Sequence, residues 1–188
     1  MREPVRYINE GDICAEVGVW KGGFSSEILK KEPARLHLID PWVSQPHYKG
    51  KYGPRCSRCV SAGRACRQHE GRWYSIEQQR MDTIFEDVQE KFKDDGRVEI
   101  HKDFSTNVNF PKAYFNWVYI DGNHSYEFVL KDLNHYYPLI MKGGFLCGDD
   151  YGWTDRHCKK GPKKAVDEFA EKMSLKKVIK RRQFILHG

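Results

Sequence analysis

No apolar run in this 188-residue chain is long enough to cross a bilayer, and no signal-peptide pattern opens it. A membrane span is therefore not expected, and residence in the cytosol is. Internal repeats and low-complexity tracts are also lacking, which removes repeat architectures from consideration. There is no Walker lysine followed by Ser or Thr, and the one glycine-rich turn, Gly18-x3-Gly22-Gly23, departs from the Gly-x-Gly-x-x-Gly dinucleotide fingerprint. Excess charge is small: a net +6 attracts anions modestly and does not by itself imply nucleic acid. The basic run around Lys176-Lys177 and Lys180-Arg181-Arg182 reads as the solvated face of a terminal strand pair.

What is present alternates. With 39% apolar and 31% charged residues, the chain suits one globular domain over residues 1–188, carrying one sizeable insertion. Residues 12–19 read as a strand, Gly22-Gly23 as a turn, and Ser25 to Lys31 as the start of a helix capped by Ser25 or Ser26. Leu36 to Ile39 is a second strand and Val98 to Ile100 a third. A fourth ends at Asp121 and a fifth at Asp149-Asp150, each after a short apolar run. Helical spacing occupies Ile76 to Phe92, Tyr126 to Tyr137 and Pro162 to Met173, and two short strands (Lys177 to Lys180, Gln183 to Leu186) close the chain. This order predicts an α/β fold, a doubly wound and mainly parallel seven-stranded sheet with an antiparallel edge.

Residues 43–75 break the pattern. The stretch has no periodicity and is too long for an ordinary connection, so it reads as a functional insertion after strand two. It contains Cys56-x2-Cys59-x6-Cys66-x2-His69, four groups of the types zinc prefers. In a reducing compartment such spacing favours a metal over disulfides, and the expectation is one structural Zn²⁺ stiffening a polar loop. His157 or Cys158 could replace one ligand, and the bland alternative is a solvated loop with free thiols. Trp42, His47, Tyr48, Tyr52 and Trp73 are placed to form a lid or an acceptor wall. Cys14 and Cys147 lie in strand-like runs and read as small core residues.

The chemistry gathers at strand ends. Asp121-Gly122-Asn123-His124 follows Trp117-Val118-Tyr119-Ile120, and Gly148-Asp149-Asp150 follows Phe145-Leu146-Cys147. Three carboxylates and an imidazole then share the carboxyl edge of an open sheet, where such sheets bind ligands. Clustered carboxylates favour a hard cation such as Mg²⁺, and a histidine can move a proton. Glu16, two residues before Gly18, suits a cationic ligand better than a pyrophosphate, and Asp40 at the end of strand two can accept from a ribose diol.

The run Ala15-Glu16-Val17-Gly18-Val19-Trp20-Lys21-Gly22-Gly23-Phe24-Ser25, followed by Ile39-Asp40-Pro41-Trp42, resembles class I S-adenosylmethionine-dependent methyltransferases. Asp121 to Tyr126 and Gly143-Gly144 through Asp149-Asp150 resemble the branch of macrocin-type sugar O-methyltransferases. The resemblance spans nearly all of the chain outside 43–75 and implies the Rossmann-like methyltransferase fold. It implies that Glu16, Gly18 and Gly22, with Trp20, Lys21 and Ser25 in the same turn, line the methionine part of S-adenosylmethionine, and that Asp40 holds its ribose. Trp42 would cover the adenine, and Asp103-Phe104-Ser105 would meet its edge. Asp121, Asp149 and Asp150 would bind Mg²⁺, and His124 would be the general base. One position departs from the family: Phe104 stands where an acidic residue commonly precedes the serine, which leaves adenine recognition there to backbone groups.

Together these readings lead to an O-methyltransferase acting on a small hydroxylated acceptor, sugar-like or diol. Two alternatives stay open. One is a metal-independent methyltransferase with another acceptor class. The other is a zinc-stabilised nucleic-acid-binding module on an inactive fold, using Arg55, Arg58, Arg64, Arg67 and Arg72.

Overall fold

The first strand, β1 (Ile13–Val17), is buried along nearly its whole length, so its sequence shows no polar alternation. The same holds for β2 (Arg35–Ile39) and β4 (Phe115–Ile120). Such strands need cover on both faces, and the helices between them supply it. The computed structural model describes residues 2–43, 78–153 and 161–188. Within these, the remaining elements are α1 (Gly23–Leu29), α2 (Gln78–Phe92), β3 (Val98–His101), α3 (Tyr126–Tyr136), β5 (Ile140–Gly148), α4 (Gly161–Lys172), β6 (Lys176–Lys180) and β7 (Gln183–His187). A single 3₁₀ turn, Glu3–Tyr7, precedes β1.

The seven strands form one sheet in the order β3-β2-β1-β4-β5-β7-β6. The first five pair in parallel, while β7 runs antiparallel to both β5 and β6. Strand order therefore reverses between β1 and β4, and there the crevice of a doubly wound sheet opens. Each sheet face has its own core. Cys14, Leu38, Trp117 and Tyr119 pack under α1 and α2 with Met81, Ile84 and Val88. Ala15, Val17, Val118 and Ile120 pack under α3 and α4 with Leu133, Val166 and Phe169. Cys14 and Cys147 are buried free thiols in the first of these cores, under α1 and α2. Full burial of one such aliphatic or aromatic side chain is worth about 1.5–3 kcal/mol, so these two layers hold the helices on both faces of the sheet.

The parallel ladder runs one residue beyond several strands. Gly18 N–H donates to Ile39 O (2.9 Å), Asp40 N–H to His101 O (3.2 Å), Asp121 N–H to Val17 O (2.7 Å) and Asp149 N–H to Ile120 O (3.1 Å). These four residues are thus set in a row along the carboxyl edge by backbone bonds alone.

One local expectation is corrected. Neither Ser25 nor Ser26 caps α1. Its N-cap is Gly22, left-handed at φ 63°, with no side-chain cap bond. Ser25 lies one turn further in and points to Glu16, and Ser26 bonds back to the Gly22 carbonyl. The insertion read over 43–75, with Cys56, Cys59, Cys66, His69 and the neighbouring arginines and aromatics, lies almost wholly outside the described residues, as do His157 and Cys158.

Candidate active site

Glycine at position 18 is a geometric necessity. Its φ is +89°, and a Cβ there would collide with the Asp121 carbonyl and the Gly122 Cα. The β1–α1 turn and the end of β4 can approach this closely only without a side chain between them. That contact brings the turn Gly18 to Gly22 against the Asp121 to His124 segment. Glu16 lies just beneath, 2% exposed, with its Oε2 accepting from Ser25 Oγ at 2.5 Å. Burial pushes its carboxyl up to about 8 against the pull of the Ser25 hydroxyl, with Asp121 adding to the rise.

Asp40 organises the next stretch. Its Oδ2 accepts from Trp20 N–H (3.0 Å) and its Oδ1 from Trp42 N–H (2.8 Å), with Val19 N–H bonded as well. Trp20 and Trp42 both sit at positive φ, 55° and 41°, and these bonds hold them there. Burial raises the Asp40 carboxyl while the three backbone donors draw it back. Trp42 is enclosed on this turn. Its indole is 0% exposed, packs on Phe85 at 5.0 Å between centroids, and donates Nε1–H to the Trp20 carbonyl (2.9 Å). In this structure the ring is a core residue that fixes the Trp20 turn. Lys21 is exposed on the same turn.

At the β3 end, Asp103 Oδ1 accepts from Phe104 N–H and Asn107 Nδ2, closing its own turn. Ser105 Oγ donates to Asp132 on α3, whose carboxyl burial pushes up to about 6. Phe104 is 42% exposed, an unusual place for a phenyl ring, on the ligand edge.

Of the groups expected at this edge, three share one cluster. Donor atoms of Asp121, His124 and Asp150 all lie within 4.8 Å of one another. Asp149 joins them through Arg2, whose guanidinium donates to Asp121 Oδ2 (2.7 Å) and lies 3.3 Å from Asp149 Oδ2. Arg2 also lies over the Phe24 ring, 4.3 Å from its centroid. On the other side, Asp150 is bonded by His124 Nε2 and by Arg182, and sits at φ 53°. Arg182, read from sequence as part of a solvated basic face, is in fact a partner of this site and stacks over Trp153 at 5.1 Å. Burial pushes Asp121 up to about 6, with Arg2 opposing and Asp149 assisting. Burial would also raise Asp150, but His124 and Arg182 outweigh it and hold that carboxyl below its ordinary range. Two carboxylates in one cluster are thus driven apart, an arrangement that separates acid from base roles.

Arg2 had no signal in the sequence. It reaches the site from 119 residues away along the chain. Its only local mark is Pro4, in the opening of the 3₁₀ turn Glu3–Tyr7 that Arg2 directly precedes.

The family described as a methyltransferase domain matches residues 15–151, and the chain belongs to it. This is the enzyme class whose methyl donor is S-adenosylmethionine. The O-methyltransferase NovP superposes with a TM-score of 0.62 at 21% identity, covering 98% of this chain and 76% of that one. An S-adenosylmethionine-dependent methyltransferase from Aquifex aeolicus gives a TM-score of 0.56 at 13% identity, covering 96% and 84%. At such identities both speak to the fold. The uncharacterized protein R132 of Acanthamoeba polyphaga mimivirus is 47% identical over 34 residues, 18% of this chain and only 15% of its own length. Among the described residues no helix is long and apolar enough to cross a membrane.

Proposed function

We propose that this chain is an S-adenosylmethionine-dependent O-methyltransferase for a small hydroxylated acceptor, sugar-like or diol, with His124 as general base and Mg²⁺ assisting. The observation that carries this reading is His124 bonded to Asp150 through Nε2 with Asp121 in the same cluster, at the switch point of the sheet. Methyl transfer to an alcohol needs alignment of acceptor oxygen, methyl carbon and sulfur, and removal of the hydroxyl proton. With Nε2 committed to Asp150, His124 keeps Nδ1 as the nitrogen that takes that proton, and Asp150 holds the ring and stabilises the resulting imidazolium.

In this reading Glu16, Gly18, Gly22 and Ser25, with Trp20 and Lys21, surround the amino-acid part of the cofactor. Asp40 receives its ribose. A carboxylate has about four lone-pair sites, so three backbone donors leave Asp40 room for one hydroxyl rather than two. The turn Asp103-Phe104-Ser105 meets the adenine, and the exposed Phe104 phenyl offers it a stacking surface.

Asp121, Asp149 and Asp150 would hold the Mg²⁺. The donors fit: three carboxylates at one edge are hard oxygen ligands, and two of them already share the positive charge of Arg2. When bound, the ion supplies Lewis-acid polarisation of the acceptor oxygen. Arg2 then competes with it for the same oxygens. Arg2→Ala is expected to tighten Mg²⁺ binding by about tenfold, corresponding to roughly 1.4 kcal/mol of lost competition at this half-buried pair. Mg²⁺ titration followed by thermal shift checks this, and an unchanged midpoint would remove Arg2 from the metal's path.

The function itself is tested by calorimetric titration of S-adenosylhomocysteine, with NAD as comparison ligand, followed by a methyl-transfer assay on vicinal diols with and without a chelator. Selective saturable binding and chelator-sensitive transfer support the proposal. Activity that survives exhaustive chelation assigns the reaction to His124 without the ion, and no binding by folded protein sinks the cofactor assignment.

A further inference from the structure

Away from the carboxyl-edge site, a second group of ligating side chains lies on the outermost part of the sheet. His37 of β2 stands opposite Glu99 of β3 in the parallel register, and His101 follows two residues later on the same face of β3. His37 Nδ1 lies 2.9 Å from His101 Nε2 and 3.4 Å from Glu99 Oε2. One ligand atom from each of the three residues lies within 4.8 Å of the other two. A cation with bonds of about 2.0–2.1 Å to nitrogen and oxygen in tetrahedral geometry places its ligand atoms roughly 3.3 Å apart. The observed separations bracket that spacing without any rearrangement of the strands.

We propose that His37, Glu99 and His101 form a binding site for a borderline transition-metal cation, Zn²⁺ foremost. A hydrogen-bond network is the competing account, since a proton on His37 Nδ1 can serve His101 Nε2 or Glu99 Oε2. Three features favour the ion. The remaining nitrogen of His37, Nε2, is paired with the Tyr114 hydroxyl at 3.2 Å, an outer partner of the kind that fixes a metal-bound imidazole. Arg35 binds Glu99 through Oε1 and leaves Oε2 turned toward His37. The charge of Arg35 also disfavours an ion held by charge alone, such as Mg²⁺ or Ca²⁺, and leaves the advantage to one held by directional nitrogen bonds. On the edge strand β3, His101 and Glu99 are partly exposed, while His37 is buried.

An ion here would clamp β3 to β2 one residue before the Lys102-Asp103-Phe104-Ser105 turn. It would therefore steady the loop at the cofactor edge without touching the reacting groups.

The experiment uses the full chain carrying Cys56→Ser and Cys59→Ser, so that zinc taken up by the cysteine-rich segment does not enter the count. Its circular dichroism must match that of the unsubstituted chain. Zn²⁺ is added, excess is removed by gel filtration, and retained metal is measured with and without His101→Ala. The His101 variant is expected to lose one equivalent, and Tyr114→Phe to weaken binding by about 10- to 100-fold. Should the substituted background not fold, zinc-edge anomalous diffraction from the unsubstituted chain gives the same answer, with a peak expected between His37 and His101. Equal zinc in both chains, or anomalous peaks only at the cysteines or at Asp121, Asp149 and Asp150, would overturn the site.

Discussion

His124→Ala is expected to lower kcat for the hydroxyl acceptor by about 10²- to 10⁴-fold, the usual worth of a positioned general base. KM for the cofactor should hardly move, because in the proposed mechanism His124 acts on the acceptor's proton and not on the donor. The companion variant is Asp150→Asn. Asp150 sits at φ 53°, where Asn is among the residues that tolerate left-handed backbone, so the turn survives while the charge is removed. If the two residues act as a unit, the double variant loses little beyond the worse single one. Turnover of His124→Ala within a few-fold of the parent chain would mean that the base lies elsewhere. A loss confined to KM would mean that His124 positions the acceptor and moves no proton.

The strands that build this site were legible because fully buried parallel strands leave continuous apolar runs, as Trp117 to Ile120 and Phe145 to Cys147 do. Strand ends then fixed where Asp121, Asp149 and His124 must lie. Gly18 was legible as a glycine in a turn, but its partner, the Asp121 backbone, was not, since close approach across a sheet leaves no mark in local sequence. Trp42 shows a related limit. An aromatic after the β2 carboxylate suits a ligand cover and a core plug equally well, and its packing against Phe85 leaves no mark in local sequence. The cap of α1 failed because Ser25 is drawn across the turn to the buried Glu16 carboxyl, which needs a hydrogen-bond partner of its own. Arg2 and Arg182 were invisible as site residues, because what defines them is a partner far away along the chain.

Glu16 is expected to make cofactor binding steeply pH-dependent. Burial, more than Asp121 or Asp40, lifts its folded value to about 8 from an ordinary 4.5, against the Ser25 hydrogen bond and Arg2. Because the folded value is the higher one, the free protein keeps the full benefit of a neutral Glu16 below about pH 4.5 and loses it as pH climbs to about 8. The amino-acid part of S-adenosylmethionine brings an ammonium and a sulfonium, both of which favour the ionised carboxylate. On the proposed contact, with the ligand's ammonium and not its carboxylate facing Glu16, binding expels the Glu16 proton, so affinity should rise by up to about tenfold per pH unit below 8. It should flatten near there, where the ligand's own amine, with a pKa of roughly 7.7–8.0, begins to lose its charge. Calorimetry near pH 6.5 in buffers of different ionisation heat should register about one proton released per cofactor bound, a direct consequence of linkage. Glu16→Gln removes the titrating group while keeping a polar side chain beside Ser25, so its affinity should be weaker near pH 8 and nearly level down to pH 6. A variant that keeps the slope of the parent chain would place the linked proton elsewhere, with Asp121, which titrates near 6, the next group to substitute.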